Sequence, residues 1–365
     1  MELRKVKSFA GWTMAAALAL TPALLDAQLP ACAPVPTAAS IAAAAQKETA
    51  LSRTFAHGRG AARGRAAARG GGGFIFANLY QLAEEASVDS SRSMSAGRGG
   101  PGGASAGEPP CYNTVPPQLP ADLDAGGGVL IFSKTNGYRD EPSMEASNAA
   151  LAALAKGHDW PFFVTENGAV MNPAQLKKFK VVIWNNNSGD TLNPDQRAAF
   201  KAWVEDGGTY IGIHGAGGDP PTAHPPLSTT LAAWPWYING LLGAQFTSHA
   251  TMQPGIVDVQ APSIPIMKGL PLKWYRTDEW YAFATNPRKE PGFHVLATAD
   301  ETSYYPGHST MWADHPLIWW HCVGQGHMLF SALGHAGWEY AQPNMLQLLD
   351  NSMTWGMTVS GHGCS

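Results

Sequence analysis

Four short apolar runs punctuate the middle of the chain: Gly128-Val-Leu-Ile-Phe132, Pro161-Phe-Phe-Val-Thr165, Val181-Val-Ile-Trp184 and Thr209-Tyr-Ile-Gly-Ile213. Each is rich in β-branched or aromatic residues and bounded by turn formers, which predicts buried strands. Helical stretches fill the gaps. Pro142 opens one that runs to Lys156, and proline is tolerated in a first turn. Asn172-Pro173 caps a short one reaching Phe179, and Asn193-Pro194 starts another that ends at Asp206 before Gly207-Gly208. Strand and helix alternating with short connections predict a parallel sheet with helices on both faces and right-handed crossovers.

Beyond Ile213 the periodicity changes. Pro220, Pro221, Pro225 and Pro226 predict a rigid loop, and Leu227 to Leu242 reads as helix interrupted at Pro235. Short β-like runs follow at Ile256–Val259, Trp280–Phe283 and His294–Ala297. Leu317–Trp320 and His327–Ala332 then read as paired strands joined through Val323-Gly-Gln-Gly326, and Asn344–Trp355 is the last predicted helix. The expected unit is an α/β domain with a β-rich second half, spanning residues 126–358, with a tail at 359–365.

The first third has another character. Arg4, Lys5 and Lys7 precede an uncharged apolar run, Gly11 to Leu25, and Leu25-Asp-Ala27 is an acceptable cleavage site, so residues 1–27 predict an export signal. Leu29-Pro-Ala-Cys32 is similar to a lipoprotein cleavage box, but proline fits poorly at its second position, and simple secretion (or a periplasmic location) is preferred. Residues 28–125 are dominated by Ala, Gly, Pro and Ser, with five arginines and no acid between Arg53 and Arg69. Such composition offers too little apolar surface to offset ordering entropy and predicts a flexible tether. Phe74 to Ala86 is the exception, a candidate short helix or docking segment. A net charge of −4 gives no expectation of nucleic acid as partner. No later run approaches membrane-spanning length, and nothing bears on oligomeric state. Cys32, Cys111, Cys322 and Cys364 form no C-x-x-C pair; bridges 32–111 and 322–364 are permitted, but all three connectivities stay open.

Candidate chemistry gathers where strands end. His214 sits at the turn after Thr209–Ile213, followed by Gly215, Gly217 and Gly218. Ligands in open α/β sheets bind just beyond the carboxyl ends of the strands. His335, after Leu333-Gly334, has the same placement. Asp278 and Glu279 are adjacent near a β-like run, so they point to opposite faces and only one enters a given pocket. A carboxyl in a partly dry pocket can act as general acid or base. Asn185, Asn186 and Asn187 follow the third strand and have amides suited to sugar hydroxyls. Tyr138 and Arg139 follow the first strand and face the same crevice. Trp234, Trp236, Trp274 and Trp280 are possible stacking surfaces, and Glu339-Tyr340 a possible rim. The two histidines with His249 also suit a divalent metal, but no tight histidine spacing supports one, and no cofactor is assigned. Within residues 126–358 there is no G-x-S-x-G, no G-x-G-x-x-G after the first strand and no Walker motif. The matches at Gly97–Gly102 and Gly103–Gly107 lie in the Gly/Ala/Ser-rich segment without a strand–turn–helix context, which leaves no basis for an α/β-hydrolase elbow or nucleotide binding.

Taken in order, several motifs resemble the ThuA-like (trehalose utilisation) family: Val129-Leu-Ile-Phe132 with Gly137-Tyr-Arg139, Val182-Ile-Trp-Asn-Asn-Asn-Ser-Gly-Asp190, Gly207-Gly-Thr-Tyr-Ile-Gly-Ile-His-Gly-Ala216, Leu242-Gly-Ala-Gln-Phe246, Asp278-Glu-Trp-Tyr281 and Leu333-Gly-His335. The resemblance covers roughly residues 126–357. It implies a flavodoxin-like three-layer parallel sheet, similar to class I glutamine amidotransferases. It also implies a small-molecule carbohydrate ligand, a sugar or keto-sugar derivative, processed by acid/base hydrolysis, elimination or isomerisation. His214, Asp278 or Glu279, and His335 are the expected catalytic groups. Two departures stand out. The family commonly carries a histidine after the arginine of the first loop, where this chain has Asp140. His214, with no cysteine near it in sequence, occupies the turn after the fourth strand where glutamine amidotransferases carry their cysteine nucleophile, so cysteine-dependent amide hydrolysis is not expected. The rival reading is a non-catalytic carbohydrate-binding module. It predicts an aromatic-walled groove with the histidines apart, whereas an enzyme requires them around one opening.

Overall fold

The computed structural model describes residues 31–32, 111–218 and 234–364. The export signal, most of the tether, the Phe74–Ala86 segment and the proline loop lie outside the described residues. Among the described residues eleven strands form: β1 (Gly128–Phe132), β2 (Phe162–Thr165), β3 (Phe179–Asn185), β4 (Thr209–Ile213), β5 (Phe246–His249), β6 (Gln253–Val259), β7 (Lys273–Asp278), β8 (Tyr281–Phe283), β9 (His294–Asp300), β10 (Pro316–Val323) and β11 (Gly326–Ser331). Nine of them make one sheet in the order β2-β1-β3-β4-β11-β10-β9-β6-β7. The strands from β2 to β11 in that order pair in parallel, and from β11 outward every pairing is antiparallel. β5 and β8 form a separate antiparallel pair. The expected α/β fold with a β-rich second half is present, both halves sharing one continuous sheet.

Strand alternation assigns the two faces. Val181, Thr209 and Ile211 approach Gly356 of the last helix, α3 (Pro343–Val359), while Trp184 and Tyr210 on the opposite face pack on Phe200 of α2 (Pro194–Glu205). α1 (Glu141–Gly157) lies beside α3. Asp140, Asn172 and Asn193 cap the helix starts that follow them through their side chains, whereas Gln342 before α3 makes no side-chain cap. The Asn193 side chain accepts from Gln196 N, and the Gln196 side chain reaches back to the Asn193 backbone. Residues 173–176 form a single turn, and β3 begins at Phe179, two residues earlier than its hydrophobic core suggests.

Two strands escape the hydrophobic pattern. β7 buries Trp274, Arg276 and Asp278, so its inner face carries charge. β5 is short and half exposed. Trp234, Trp236, Trp274 and Trp280 form no open wall. Trp234 and Trp236 pack with Phe200, Trp274 lies beneath Arg276, and Trp280 is fully buried.

The tether reading fails for residues 111–125. The Tyr112 hydroxyl donates to Asp190, the Asn113 side chain accepts from Gly168 N and its carbonyl from Gln196 Nε2. The Val115 and Pro117 carbonyls accept from Asn167 and Gln175 side chains, and Leu123 is fully buried. A few anchors in a Pro-rich strand suffice because side chains of the domain satisfy its backbone. Disulfides join Cys32 to Cys111 and Cys322 to Cys364. No described helix is long and apolar enough to cross a membrane.

Candidate active site

At the end of β4 the chain turns sharply. His214 adopts φ +44°, a left-handed conformation costly for a residue with Cβ. The turn is held by the neighbouring strand: His214 N donates to Ser331 O at 2.7 Å, and the imidazole Nδ1 lies 2.7 Å from Ala332 O. A carbonyl can only accept, so Nδ1 carries the proton and Nε2 presents a lone pair. Burial pushes the His214 pKa down to about 3, which keeps the ring neutral. Close approach is needed at Gly218, where a Cβ would collide with the Tyr281 ring.

Tyr281 donates its hydroxyl to His214 Nε2 at 2.9 Å. On the same side stands Glu279. Its Oε2 is 3.8 Å from His214 Nε2 and 3.2 Å from His335 Nδ1, and its Oε1 is 3.5 Å from His249 Nδ1. Burial pushes the Glu279 carboxyl up to about 7; the charges of Asp278 and Asp140 add to this and His335 opposes it. Asp140, the N-cap of α1, brings Oδ2 to 3.7 Å from His335 Nε2, and burial raises its pKa. Tyr138 is 56% exposed, yet its hydroxyl is pushed up to about 12, first by burial and then by Asp140 and Glu279. The ring is therefore largely open to solvent, with Asp140 and Glu279 near enough to act on its hydroxyl through their charges.

Of the acidic pair, Glu279 faces the cluster and Asp278 does not. Asp278 is fully buried. Its Oδ2 pairs with Arg276 at 2.6 Å and accepts from Gly334 N; its Oδ1 accepts from His335 N at 3.0 Å and Glu279 N at 2.9 Å. Burial alone would raise its pKa, but the Arg276 guanidinium, His214 and the backbone N–H groups hold it below the usual carboxylate range. Asp278 thus positions the backbone of both Glu279 and His335 instead of entering the crevice. Glu339 and Tyr340 are also turned inward, Glu339 to Arg276 at 3.1 Å and Tyr340 to Gly334 O at 2.8 Å.

The expected sugar-binding amides are engaged elsewhere. Asn185 donates to Ser147 and Asn148, Asn186 to Tyr340 and Asn185, and Asn187 to Lys134 O; all three are buried. They hold the β3 turn, where Asn186 has φ +55°. Arg139 is occupied by Glu141 and Glu166. Among the expected binding residues, Tyr138 alone keeps a free surface at the crevice. Tyr281 and Asp140 were not assigned roles from sequence, and His249 was considered only as a possible metal ligand. For Tyr281 the signal existed: residues 279 and 281 lie two apart and face the same way, and His249 pairs with Tyr281 across β5 and β8. A cavity of about 530 Å³ elsewhere is lined by Trp274, Tyr275, Arg276 and Trp338. Its buried charges are already paired, so the chemistry belongs to the cluster.

The arrangement defines a class: an α/β protein with a mixed sheet whose histidine–carboxylate cluster stands beyond the ends of its parallel strands. The family model described as "ThuA: Trehalose utilisation" matches residues 128–356, and the chain belongs to that family. A ThuA-like protein from Bacteroides uniformis superposes with TM-score 0.55 at 22% identity, covering 69% of this chain and 98% of that one. A ThuA-like protein from Parabacteroides merdae gives TM-score 0.48 at 17% identity, covering 65% and 96%. An exo-β-1,4-mannosidase from an Opitutaceae bacterium gives TM-score 0.36 at 13% identity, covering 64% of this chain and 36% of that one. No curated protein sequence matches the chain.

Proposed function

We propose that this ThuA-family protein is an exported carbohydrate-active enzyme that moves a proton on a sugar or keto-sugar, in a hydrolysis, elimination or isomerisation. The observation that carries the reading is the convergence of His214, Glu279 and His335, whose ligand atoms all lie within 4.8 Å of one another. They are far apart in sequence and meet where α/β folds place substrates. Glu279 is the acid/base group: a carboxyl near pKa 7 exchanges protons readily at neutral pH. Neutral His214 and the Tyr281 hydroxyl form a relay beside it, and Tyr138 contacts the substrate from the open rim. The alternative binding-module reading has less support, since the described tryptophans near the site are packed away. Two disulfides are compatible with an oxidising compartment, which supports export.

The test is a screen of the purified protein against disaccharides and their keto derivatives, followed by NMR of the products. Turnover of at least one substrate, falling by a hundredfold or more in Glu279→Ala with folding retained, is expected. Binding of a sugar without turnover by the wild type would establish the module instead.

A further inference from the structure

We propose that His214 Nε2, Glu279 Oε2 and His335 Nδ1 form a binding site for one divalent transition-metal ion. Zinc-type ligand bonds are about 2.1 Å long, so neighbouring ligand atoms stand about 3.0 Å apart in octahedral and about 3.4 Å apart in tetrahedral geometry. The carboxylate oxygen lies 3.2 Å from one histidine nitrogen, between those values, and 3.8 Å from the other, slightly above them. All three ligand atoms lie within 4.8 Å of one another, so binding draws the side chains inward. Among the described residues the Glu279 carboxylate makes ion pairs with histidines but accepts no side-chain hydrogen bond.

The surroundings are those that metal-bound histidines require. A ligating imidazole donates its other N–H to a carbonyl or carboxylate, which fixes the tautomer and aims the bare nitrogen at the metal. His214 does this through Nδ1 to Ala332 O at 2.7 Å. His335 has its distal nitrogen 3.7 Å from the Asp140 carboxylate and its Nδ1 toward Glu279. Asp140 thus acquires a role as orienter of His335. The framework is preorganised as well: one buried oxygen, Asp278 Oδ1, accepts from the backbone N–H groups of both Glu279 and His335. Tyr281 donates to His214 Nε2 at 2.9 Å, a contact that an ion bound at this nitrogen would replace. Two imidazoles and one carboxylate select Zn²⁺- or Mn²⁺-type ions over Ca²⁺ and Mg²⁺, which favour all-oxygen sites. An ion here would supply a Lewis acid for a substrate oxygen.

The experiment is isothermal titration of the chelator-treated full chain with ZnCl₂, MnCl₂ and MgCl₂, without any carbohydrate. One Zn²⁺ or Mn²⁺ per chain is expected, and no Mg²⁺ binding. Glu279→Gln and His335→Ala should each weaken binding a hundredfold or more, Asp140→Asn ten- to a hundredfold, and Tyr281→Phe not at all. Circular dichroism checks that each variant is folded, and the Co²⁺ visible spectrum of the wild type reports nitrogen and oxygen ligation without any substitution. Absence of stoichiometric binding, or equal binding by Glu279→Gln and His335→Ala, overturns the proposal. The carbohydrate reading stands or falls separately: metal bound without turnover removes the enzyme assignment alone, and turnover without stoichiometric metal binding removes the metal site alone.

Discussion

Glu279→Gln should make the metal-free protein more stable at neutral pH while abolishing the proposed turnover. The Glu279 carboxyl has its pKa raised from the ordinary 4.5 to about 7, chiefly by burial. The folded state therefore holds the proton more tightly than the unfolded chain, and folding takes up a proton between those two values. Stability must fall as pH rises through that window. A rise of about 2.5 at 1.36 kcal/mol per pH unit corresponds to about 3 kcal/mol once the group is fully ionised. Glutamine keeps the shape and is neutral throughout. The stability difference between variant and wild type should be near zero at pH 4 and reach a plateau above pH 7, where it amounts to roughly 6–12 °C in Tm for a domain of this size. Thermal unfolding of both proteins from pH 4 to 8, in the presence of chelator, reads it directly. A difference independent of pH, or a variant less stable than wild type at pH 8, would refute the assignment of Glu279 as a carboxyl held in a dry cluster.

Two further outcomes concern the frame around the cluster. Asp278→Ala leaves Gly334 N and His335 N without their acceptor and removes a partner of buried Arg276. It should destabilise by about 3–5 kcal/mol in urea titration, whereas Asp278→Asn, which keeps an acceptor oxygen, should cost less. Cys111→Ser opens the Cys32–Cys111 bridge, which spans 79 residues, and should cost about 2–5 kcal/mol. An unchanged urea midpoint for Cys111→Ser would mean that residues 111–125 hold to the domain without the bridge.

The parallel half of the sheet was legible because β1, β3 and β4 are buried on both faces and announce themselves as unbroken apolar runs. Helix starts were equally plain, since Asn193 and Asn172 are local caps that need no distant partner. β7 was not, because its buried face carries Arg276 and Asp278, whose mutual pairing cannot be seen from either residue alone. Residues 111–125 were misread for a related reason. Their composition signals a tether, and only the facing Gln175, Gln196, Asn167 and Asp190 side chains anchor them.

The sequence by itself determined that His214 and His335 each follow a strand and that only one member of Asp278-Glu279 enters a given pocket, because strand alternation and the turn after β4 are local properties; that the two strands adjoin was decided by the fold. Which acid enters, and what the others do, was decided by tertiary structure. Asp278 is drawn inward by Arg276 and two backbone N–H groups, so Glu279 takes the crevice. The asparagines, equally suited to a sugar by chemistry, are consumed in holding the β3 turn. Local pattern specifies position along the chain; the choice among chemically equivalent groups is made by partners that only folding brings within hydrogen-bond reach.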